Sequence, residues 1–205
     1  MDQVLLYVLI VVLGYLLGSI SVGMILAKRF HGPDLHKVGS GSTGASNVLR
    51  TMGIKWGVIT LLGDFLKAVA ACAIAHWISG GEQYAAMLAG FACIIGHNWP
   101  IFFGMSGGKG VAASCGVMLM CYPLYGSISI LITILIIAVT RYISLGSMIM
   151  LVLFALQVTI FASGGNLLII AWAWILAAIC IWRHHGNIER LIHGTERKIG
   201  QKEKL

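Results

Sequence analysis

The chain has 205 residues, of which 59% are hydrophobic and 10% charged, and its formal net charge is +7. This composition excludes an ordinary soluble domain and indicates an integral membrane protein. The basic residues flank apolar segments, which is typical of cytoplasmic loops and not of a nucleic-acid-binding protein. We therefore predict one membrane-embedded domain over residues 1–205, with no nucleic-acid partner.

The fourteen Lys and Arg residues lie in only four places along the chain. Six lie within 28–67 and six within 183–204, and the other two are Lys109 and Arg141. Two of the intervals between these places are each 41 residues long and contain no basic residue. Each interval is long enough for two membrane crossings of about 20 residues. Because two crossings return the chain to its starting side, the basic clusters are predicted to meet on the cytoplasmic face.

Long apolar runs predict the transmembrane helices in chain order. The first helix is expected at 4–27, a run too long for the apolar region of a signal peptide. A polar loop of about 25 residues follows, and further helices are expected at 55–79, 84–103, 147–162 and 166–182. The stretch 110–140 must cross twice, turning at Tyr122-Pro123, so its two helices should be short, tilted or partly re-entrant.

These elements predict an all-α bundle of about seven transmembrane helices, with the N-terminus outside and the C-terminus cytoplasmic. The predicted outer segments carry the acids Asp2 and Glu82 and no Lys or Arg, as this orientation requires. Five crossings, with 110–140 passed differently, are the alternative. The five cysteines lie in apolar runs without a C-x-x-C pair, so we interpret them as core residues and not as disulfides or metal ligands.

The first polar loop contains a glycine-rich segment, G-S-G-S-T-G-A-S-N-V-L-R, that runs from Gly39 to Arg50. Backbone N–H groups around Ser40 and Gly41 can converge on an anion, while Asn47 adds a side-chain donor and Arg50 a positive charge. The segment predicts a phosphate cradle, although it lacks the G-K-[ST] ending of a Walker A loop. A flexible linker at the membrane surface is the alternative.

A second glycine-rich segment surrounds a single lysine. Gly107 and Gly108 precede Lys109, and Gly110 follows it. A lysine among small residues, with no acidic residue nearby in the sequence, can approach a phosphate as a point charge. The alternative is a snorkelling anchor at a helix end, but glycine on both sides favours phosphate binding.

Three polar residues inside apolar segments are predicted to support the site. Asp64 and Lys67 are three residues apart on one helix and can pair on one face. Ionised groups in a membrane helix usually mark a polar interior, and we weigh a salt bridge that steadies the first loop against direct substrate contact. His97 lies in an apolar setting, and we interpret it as a hydrogen-bonded structural histidine and not as a base.

The C-terminal tail contains a histidine and an asparagine with helical spacing. If the tail is helical, His184 and Asn187 share one face, where an imidazole beside a carboxamide suits binding a hydroxyl or polarising a carbonyl. A polar interfacial helix is the alternative. Arg141, Ser144 and Ser147 form a further small polar group at a predicted helix junction.

Two catalytic patterns, H-E-x-x-H and H-x-x-x-x-D, are missing from the sequence. With only seven acidic residues, a metal site or a pair of catalytic carboxylates is not expected, and no cofactor is expected. A small transporter for organic anions or phosphate esters would use the same basic cluster, but it needs ionisable groups near the midplane and at both openings. An intramembrane hydrolase would need a Ser and a Lys within hydrogen-bond reach.

Five segments, in this order, resemble the motifs of the bacterial membrane acyl-phosphate:glycerol-3-phosphate acyltransferase family. They are G-S-G-x-x-G-A-x-N-x-x-R at 39–50, G-D-x-x-K at 63–67, G-H-x-x-P-x-F at 96–102, G-G-K-G-V-A at 107–112 and R-H-x-x-N-I-x-R-L at 183–191. The resemblance covers essentially the whole chain. The family commonly has Asn and Thr where this chain has Ser42 and Ser46, and both serines retain hydrogen-bonding groups.

The resemblance implies a seven-helix enzyme of the bacterial inner membrane with a cytoplasmic active site. It implies transfer of a fatty acyl group from acyl phosphate to the 1-hydroxyl of glycerol 3-phosphate, which yields lysophosphatidic acid. By motif position, the catalytic candidates are His184, Asn187 and Lys109. The candidate phosphate-binding residues are Gly39, Ser40, Gly41, Asn47, Arg50, Gly107, Gly108, Lys109 and Ser144.

The sequence contains no evident Ser-His-Asp arrangement, so we expect direct attack by the substrate hydroxyl without an acyl-enzyme. The resemblance implies that the phosphate of glycerol 3-phosphate serves as the base, and His184 is the alternative base. The expected partners are the two substrates and the lipid bilayer, and we expect a monomer.

Overall fold

The computed structural model describes residues 2–201, and the secondary structure of these residues is helical. In chain order the α-helices are α1 Gln3–Ser19, α2 Val22–Arg29, α3 Ala45–Met52, α4 Ile54–Ile78, α5 Gln83–Asn98, α6 Val111–Cys121, α7 Pro123–Thr140, α8 Ile143–Gln157, α9 Leu167–Arg183 and α10 His185–Ile192. A 3₁₀ turn at Ile101–Phe103 follows α5, and a π-helical turn at Val158–Ala162 follows α8.

The helices form two compact units. Unit 1 contains α1 to α6, and unit 2 contains α7 to α10 and begins at Tyr122. Both units expose many large apolar side chains, including Val4, Leu62 and Trp77 in unit 1 and Leu131 and Val139 in unit 2. Such surfaces belong in lipid and not in water. The single domain expected over 1–205 stays a prediction.

Within residues 2–201, five helical segments are long and apolar enough to cross a membrane: Gln3–Arg29, Ile54–Ile78, Gln83–Phe103, Pro123–Thr140 and Ile143–Ala162. The pair α9 and α10, bent by 61°, can supply a sixth span. Helix α6 has 11 residues, about 17 Å at 1.5 Å per residue, which is short of a ~30 Å hydrocarbon core. The all-α membrane architecture is confirmed, whereas the count of seven crossings and the orientation of the termini stay predictions.

The helix predicted at 4–27 is observed as two helices, α1 and α2, which are separated by a break between Ser19 and Val22. Ile20 and Ser21 have extended backbone angles, with ψ of 103° and 100°. The polar loop that follows also contains a helix that the apolar pattern does not reveal, α3, in which only Asn47 and Val48 are buried. Within 110–140 the helical backbone breaks at Tyr122, and α7 begins with a proline at its first turn, where a missing N–H costs nothing. That the chain crosses the membrane twice here stays a prediction.

Small residues allow α1 and α5 to approach closely in unit 1. A Cβ atom at Gly14 would lie 2.6 Å from the carbonyl oxygen of Ala89, and one at Gly18 would overlap the carbonyl oxygen of Cys93. These two glycines are four residues apart, the spacing with which small residues bring membrane helices into backbone contact. This packing places the C-terminal end of α5 beside the break in the first span.

Unit 2 is held together partly by polar groups inside its apolar helices. Nε2 of Gln157 on α8 donates to Oγ of Ser129 on α7 at 2.7 Å, and both side chains are buried. The aromatic rings of Tyr122, Phe154 and Trp172 pack against one another with centroids 6.1 to 6.3 Å apart. Hydrogen-bonded polar pairs of this kind link membrane helices where the hydrophobic effect cannot.

Candidate active site

The first glycine-rich loop is organised by the buried side chain of Asn47. Its Nδ2 donates to the carbonyl oxygens of Leu35, Val38 and Ser42 at 3.3, 3.2 and 2.8 Å. Its Oδ1 accepts the backbone N–H of Ser40 at 3.0 Å. The loop is therefore folded around the carboxamide of Asn47. Contact between Asn47 and a substrate phosphate stays a prediction.

Glycine is required at two positions around this carboxamide. Gly39 has a φ of +62°, and a Cβ atom there would overlap Oδ1 of Asn47. Gly41 has a φ of +70°. Left-handed backbone of this kind is costly for other residues, so the predicted glycine cradle has a conformational basis in the structure.

The two glycine-rich loops meet within unit 1. Gly44, which caps the N-terminus of α3, lies so close to the second loop that a Cβ atom on it would be 3.9 Å from Cα of Gly108. The first-turn N–H groups of a helix point past its cap and favour an anion there. Arg50 lies in the last turn of α3, and Lys109 directly follows Gly108. The structure thus brings the two predicted phosphate-binding segments together.

The second loop pairs with the C-terminal end of α5. The backbone N–H of Gly107 donates to the carbonyl oxygen of Asn98 at 3.2 Å, and that of Gly108 donates to the carbonyl oxygen of His97 at 3.1 Å. Cβ atoms at these glycines would overlap the carbonyl oxygen and Nε2 of His97, respectively. The backbone leading into Lys109 is therefore pressed against α5, while the lysine itself is partly exposed.

Asp64, Lys67 and His97 form a buried group that we call the ion cluster. Nζ of Lys67 lies 2.8 Å from Oδ1 of Asp64 and 3.1 Å from Nδ1 of His97. Nδ1 of His97 also lies 3.4 Å from Oδ1 of Asp64. The expected Asp64–Lys67 ion pair is present, and the histidine completes it from α5.

Unit 2 assembles a second polar group around Glu196, which the sequence did not single out. Oε1 of Glu196 accepts from Oγ of Ser144 and Nδ2 of Asn187, each at 2.7 Å, and Oε2 accepts from Nε of Arg190 at 2.8 Å. Burial raises the pKa of this carboxyl, but the three donors and the charge of Arg190 outweigh burial and hold the pKa below its ordinary value. Glu196 therefore orients two predicted site residues, Ser144 and Asn187.

The histidine of the tail is oriented by a backbone carbonyl. Nδ1 of His184 lies 2.7 Å from the carbonyl oxygen of Cys180, and since a carbonyl only accepts, Nδ1 carries the proton. In a neutral ring Nε2 is then a hydrogen-bond acceptor. The tail is helical as expected, with His184 at its N-cap and Asn187 in its first turn, and both side chains are buried.

Arg141 joins the tail to the start of α8. Its Nη2 donates to the carbonyl oxygen of Ile199 at 2.8 Å, and the N–H of Ile199 donates back to the carbonyl oxygen of Arg141 at the same distance. Nothing in the spacing of these residues along the chain predicted this pairing. Arg141 was predicted from the sequence to lie at the cytoplasmic end of a helix. In the structure it also anchors the segment that carries Glu196.

Comparison with known proteins shows the family. The model of the family described as glycerol-3-phosphate acyltransferase matches residues 8–194. The chain belongs to this family. A glycerol-3-phosphate acyltransferase of Clostridioides difficile (strain 630) is 42% identical over 200 residues, which cover 96% of this chain and 97% of the relative. One of Halalkalibacterium halodurans is 43% identical over 197 residues, covering 95% and 96%.

Two crystal structures of PlsY, an integral membrane glycerol 3-phosphate acyltransferase, have the same fold. The glycerol 3-phosphate form superposes with a TM-score of 0.87 at 38% identity and covers 95% of this chain and 96% of that chain. The lysophosphatidic acid form superposes with a TM-score of 0.83 at 36% identity and covers 95% of each chain. The family resemblance derived from the five sequence motifs is therefore confirmed over nearly the whole chain.

Proposed function

We propose that this protein transfers a fatty acyl group from acyl phosphate to the 1-hydroxyl of sn-glycerol 3-phosphate. The products are lysophosphatidic acid, an intermediate of phospholipid synthesis, and inorganic phosphate, which is the leaving group of the acyl phosphate. Family membership supports the acceptor substrate, and the two PlsY structures are described as glycerol 3-phosphate and lysophosphatidic acid forms. The acyl-phosphate donor is implied by the family resemblance of the sequence motifs, and the cationic, glycine-rich segments of this chain suit it.

The observation that carries the proposal is the meeting of the two glycine-rich loops at Gly44 and Gly108. Backbone N–H groups, the N-terminus of α3, Arg50 and Lys109 all favour negative charge in this part of unit 1. Acyl phosphate and glycerol 3-phosphate are both phosphate esters or anhydrides. A cradle made of cations and glycine backbone suits such substrates and does not need a carboxylate pair.

In the proposed step, the 1-hydroxyl oxygen attacks the acyl carbonyl carbon, a new C–O ester bond forms, and the C–O bond to phosphate breaks. The bonding electrons leave with the phosphate, which is a stable anion at neutral pH and needs no strong protein acid. Arg50 and Lys109 stabilise the charge that develops on the departing phosphate. No acyl-enzyme is formed.

The hydroxyl proton needs an acceptor, and we propose the phosphate of glycerol 3-phosphate. His184, with Nδ1 bound to the carbonyl oxygen of Cys180, presents an Nε2 that can accept a hydrogen bond from the hydroxyl and is the alternative base. Asn187 would orient the same hydroxyl or polarise the carbonyl. The test compares how the reaction rate depends on pH in the wild type and in a His184→Gln variant. If the two pH dependences are the same, the result favours the substrate phosphate as the base.

We also propose that the enzyme is a monomer of the bacterial inner membrane, with seven crossings and a cytoplasmic active site. The segregation of the Lys and Arg residues supports this orientation. A reporter that is active only in the cytoplasm, fused after the last residue, should be active. A reporter active only outside the cytoplasm should give signal when inserted at the turn beside Glu82.

The assay that tests the function uses purified protein, palmitoyl phosphate and glycerol 3-phosphate. We expect lysophosphatidic acid and inorganic phosphate in equal amounts. Replacing palmitoyl phosphate with palmitoyl-CoA is the matched control for the donor. Absence of product, or equal rates with the two donors, would show that the proposal is wrong.

A further inference from the structure

The ion cluster lies at the break in the first membrane span. Besides contacting Asp64 and His97, Nζ of Lys67 donates to the carbonyl oxygens of Gly18 at 2.9 Å and Ile20 at 2.7 Å. The last carbonyls of a helix have no intrahelical partner. A lysine ammonium can satisfy them and is favoured by the negative end of the helix dipole. Lys67 therefore stabilises the end of α1 from the side of α4.

The same cluster reaches the second glycine-rich loop through His97. The Nδ1 edge of the imidazole faces Lys67 and Asp64, while its Nε2 edge is packed on Gly108 so closely that no Cβ atom would fit. The backbone carbonyl of His97 also accepts the N–H of Gly108. One residue therefore contacts the ion pair on one side and the backbone that precedes Lys109 on the other.

The Asp64–Lys67 ion pair is buried within a helix that is long and apolar enough to cross a membrane. The side chains of Asp64 and Lys67 are only 2% and 7% exposed, and placing charges in such surroundings carries a desolvation cost that apolar residues would avoid. The contacts of Lys67 lead to the helix break and to His97. These contacts support a role different from the two that the sequence left open, steadying of the first loop and direct contact with substrate.

We propose that the ion cluster positions Lys109 for phosphate binding. Asp64 and Lys67 fix the imidazole of His97, and His97 fixes the loop backbone at Gly108. These three are positioning residues and do not touch substrate. The inference rests on the proposed function, because it requires a substrate phosphate held by Lys109.

The proposal separates two effects in the kinetics. Loss of folded enzyme lowers the maximal rate and leaves KM unchanged, whereas a displaced Lys109 weakens phosphate binding and raises KM. A misplacement of about 1 Å can cost up to about 100-fold in an active site. The KM values for glycerol 3-phosphate and for palmitoyl phosphate are therefore the readouts.

The main variant is the double substitution Asp64→Asn and Lys67→Met. It removes both charges together, so that no unpaired charge stays buried. We expect KM for at least one substrate to rise about tenfold or more. The matched control is Thr60→Val, one turn earlier on α4, where a buried hydroxyl bonds to the carbonyl oxygen of Trp56 in its own helix. This control should leave both KM values within about twofold of the wild type.

A second variant addresses the case in which the double variant does not fold. His97→Asn keeps a polar atom near the position of Nδ1 but removes the Nε2 edge that supports Gly108. It should raise the same KM as the double variant. Unchanged KM values for both substrates, with only the maximal rate lowered, would overturn the positioning role. Failure of the wild-type enzyme to form lysophosphatidic acid would instead overturn the proposed function.

Discussion

The two polar regions of this protein are built in different ways. In unit 1 the proposed phosphate cradle consists largely of backbone, and glycines such as Gly39 and Gly108 pack where no side chain fits. In unit 2 the polar group consists of side chains that converge on one carboxylate, that of Glu196. The first region should therefore be sensitive to added atoms as well as to the loss of its two cations, whereas the second depends on the single carboxylate of Glu196.

The largest effect is expected from removing the cations of the backbone-built region. Arg50→Ala and Lys109→Ala should each lower kcat/KM by about 1,000-fold or more, because they remove charge that binds the substrate phosphates and stabilises the one that departs. The variants should still accumulate in the membrane. Lys55→Ala is the matched control, since Lys55 is exposed at the start of α4. Near-normal activity in either cradle variant would contradict the assignment.

A pair of glycine substitutions tests the packing of the cradle itself. Gly108→Ala should lower kcat/KM by about 100-fold, because the new Cβ atom overlaps Nε2 of His97 and must displace the loop. Gly44→Ala should change it less than about threefold, since its Cβ atom meets Cα of Gly108 only at 3.9 Å and its φ is −80°. Equal losses in the assay would mean that close packing does not decide the geometry of the loop.

In unit 2, Glu196→Gln should destabilise the protein by about 1–3 kcal/mol at neutral pH, because buried donors lose a charged acceptor. The pKa of Glu196 is below its ordinary value of 4.5. The ionised carboxylate therefore stabilises the folded protein fully above pH 4.5, and this contribution is lost as the pH falls through the lowered pKa. Thermal unfolding in detergent should therefore show a difference from wild type at neutral pH that shrinks in acid. Glu189→Gln, at an exposed position of α10, should show no such difference.

The smallest effect is expected where this chain departs from the family pattern. Oγ of Ser42 accepts the N–H of Gly44 at 3.3 Å, and the side-chain oxygen of asparagine can accept the same bond. Ser42→Asn should therefore change kcat/KM by less than about threefold, and Ser42→Val, which has no acceptor, should lower it more. If valine were tolerated as well as asparagine, this turn would not contribute to the cradle.

Much of the helical layout could be predicted, because a bilayer requires long apolar helices whose backbone groups bond internally. The predicted helix at 55–79 is observed at Ile54–Ile78, and a break at Tyr122, where the chain was predicted to turn, separates α6 from α7. The break after Ser19 was not predictable in this way. The carbonyl oxygens of Gly18 and Ile20 at this break accept hydrogen bonds from Lys67. The local sequence pattern does not indicate a partner for Ile20 that lies 47 residues away.

The candidate site was predictable to a similar extent. Glycine, lysine and arginine in short segments indicate a phosphate cradle, because their chemistry is local and independent of the rest of the fold. Glu196 was missed because the sequence shows it only as one acid in a basic tail. Its importance comes from Ser144, which is 52 residues away in the chain.

The sequence by itself determined the class of the protein, the approximate helices and the family, and it predicted the segments that would bind phosphate. These properties follow from composition, hydropathy and short motifs, each of which acts over one helix or one loop. Only the tertiary structure decided that His97 supports Gly108, that Lys67 caps a broken helix, and that Asn187 and Ser144 share Glu196. The physical reason is that buried polar groups must find partners, and packing brings those partners from distant parts of the chain.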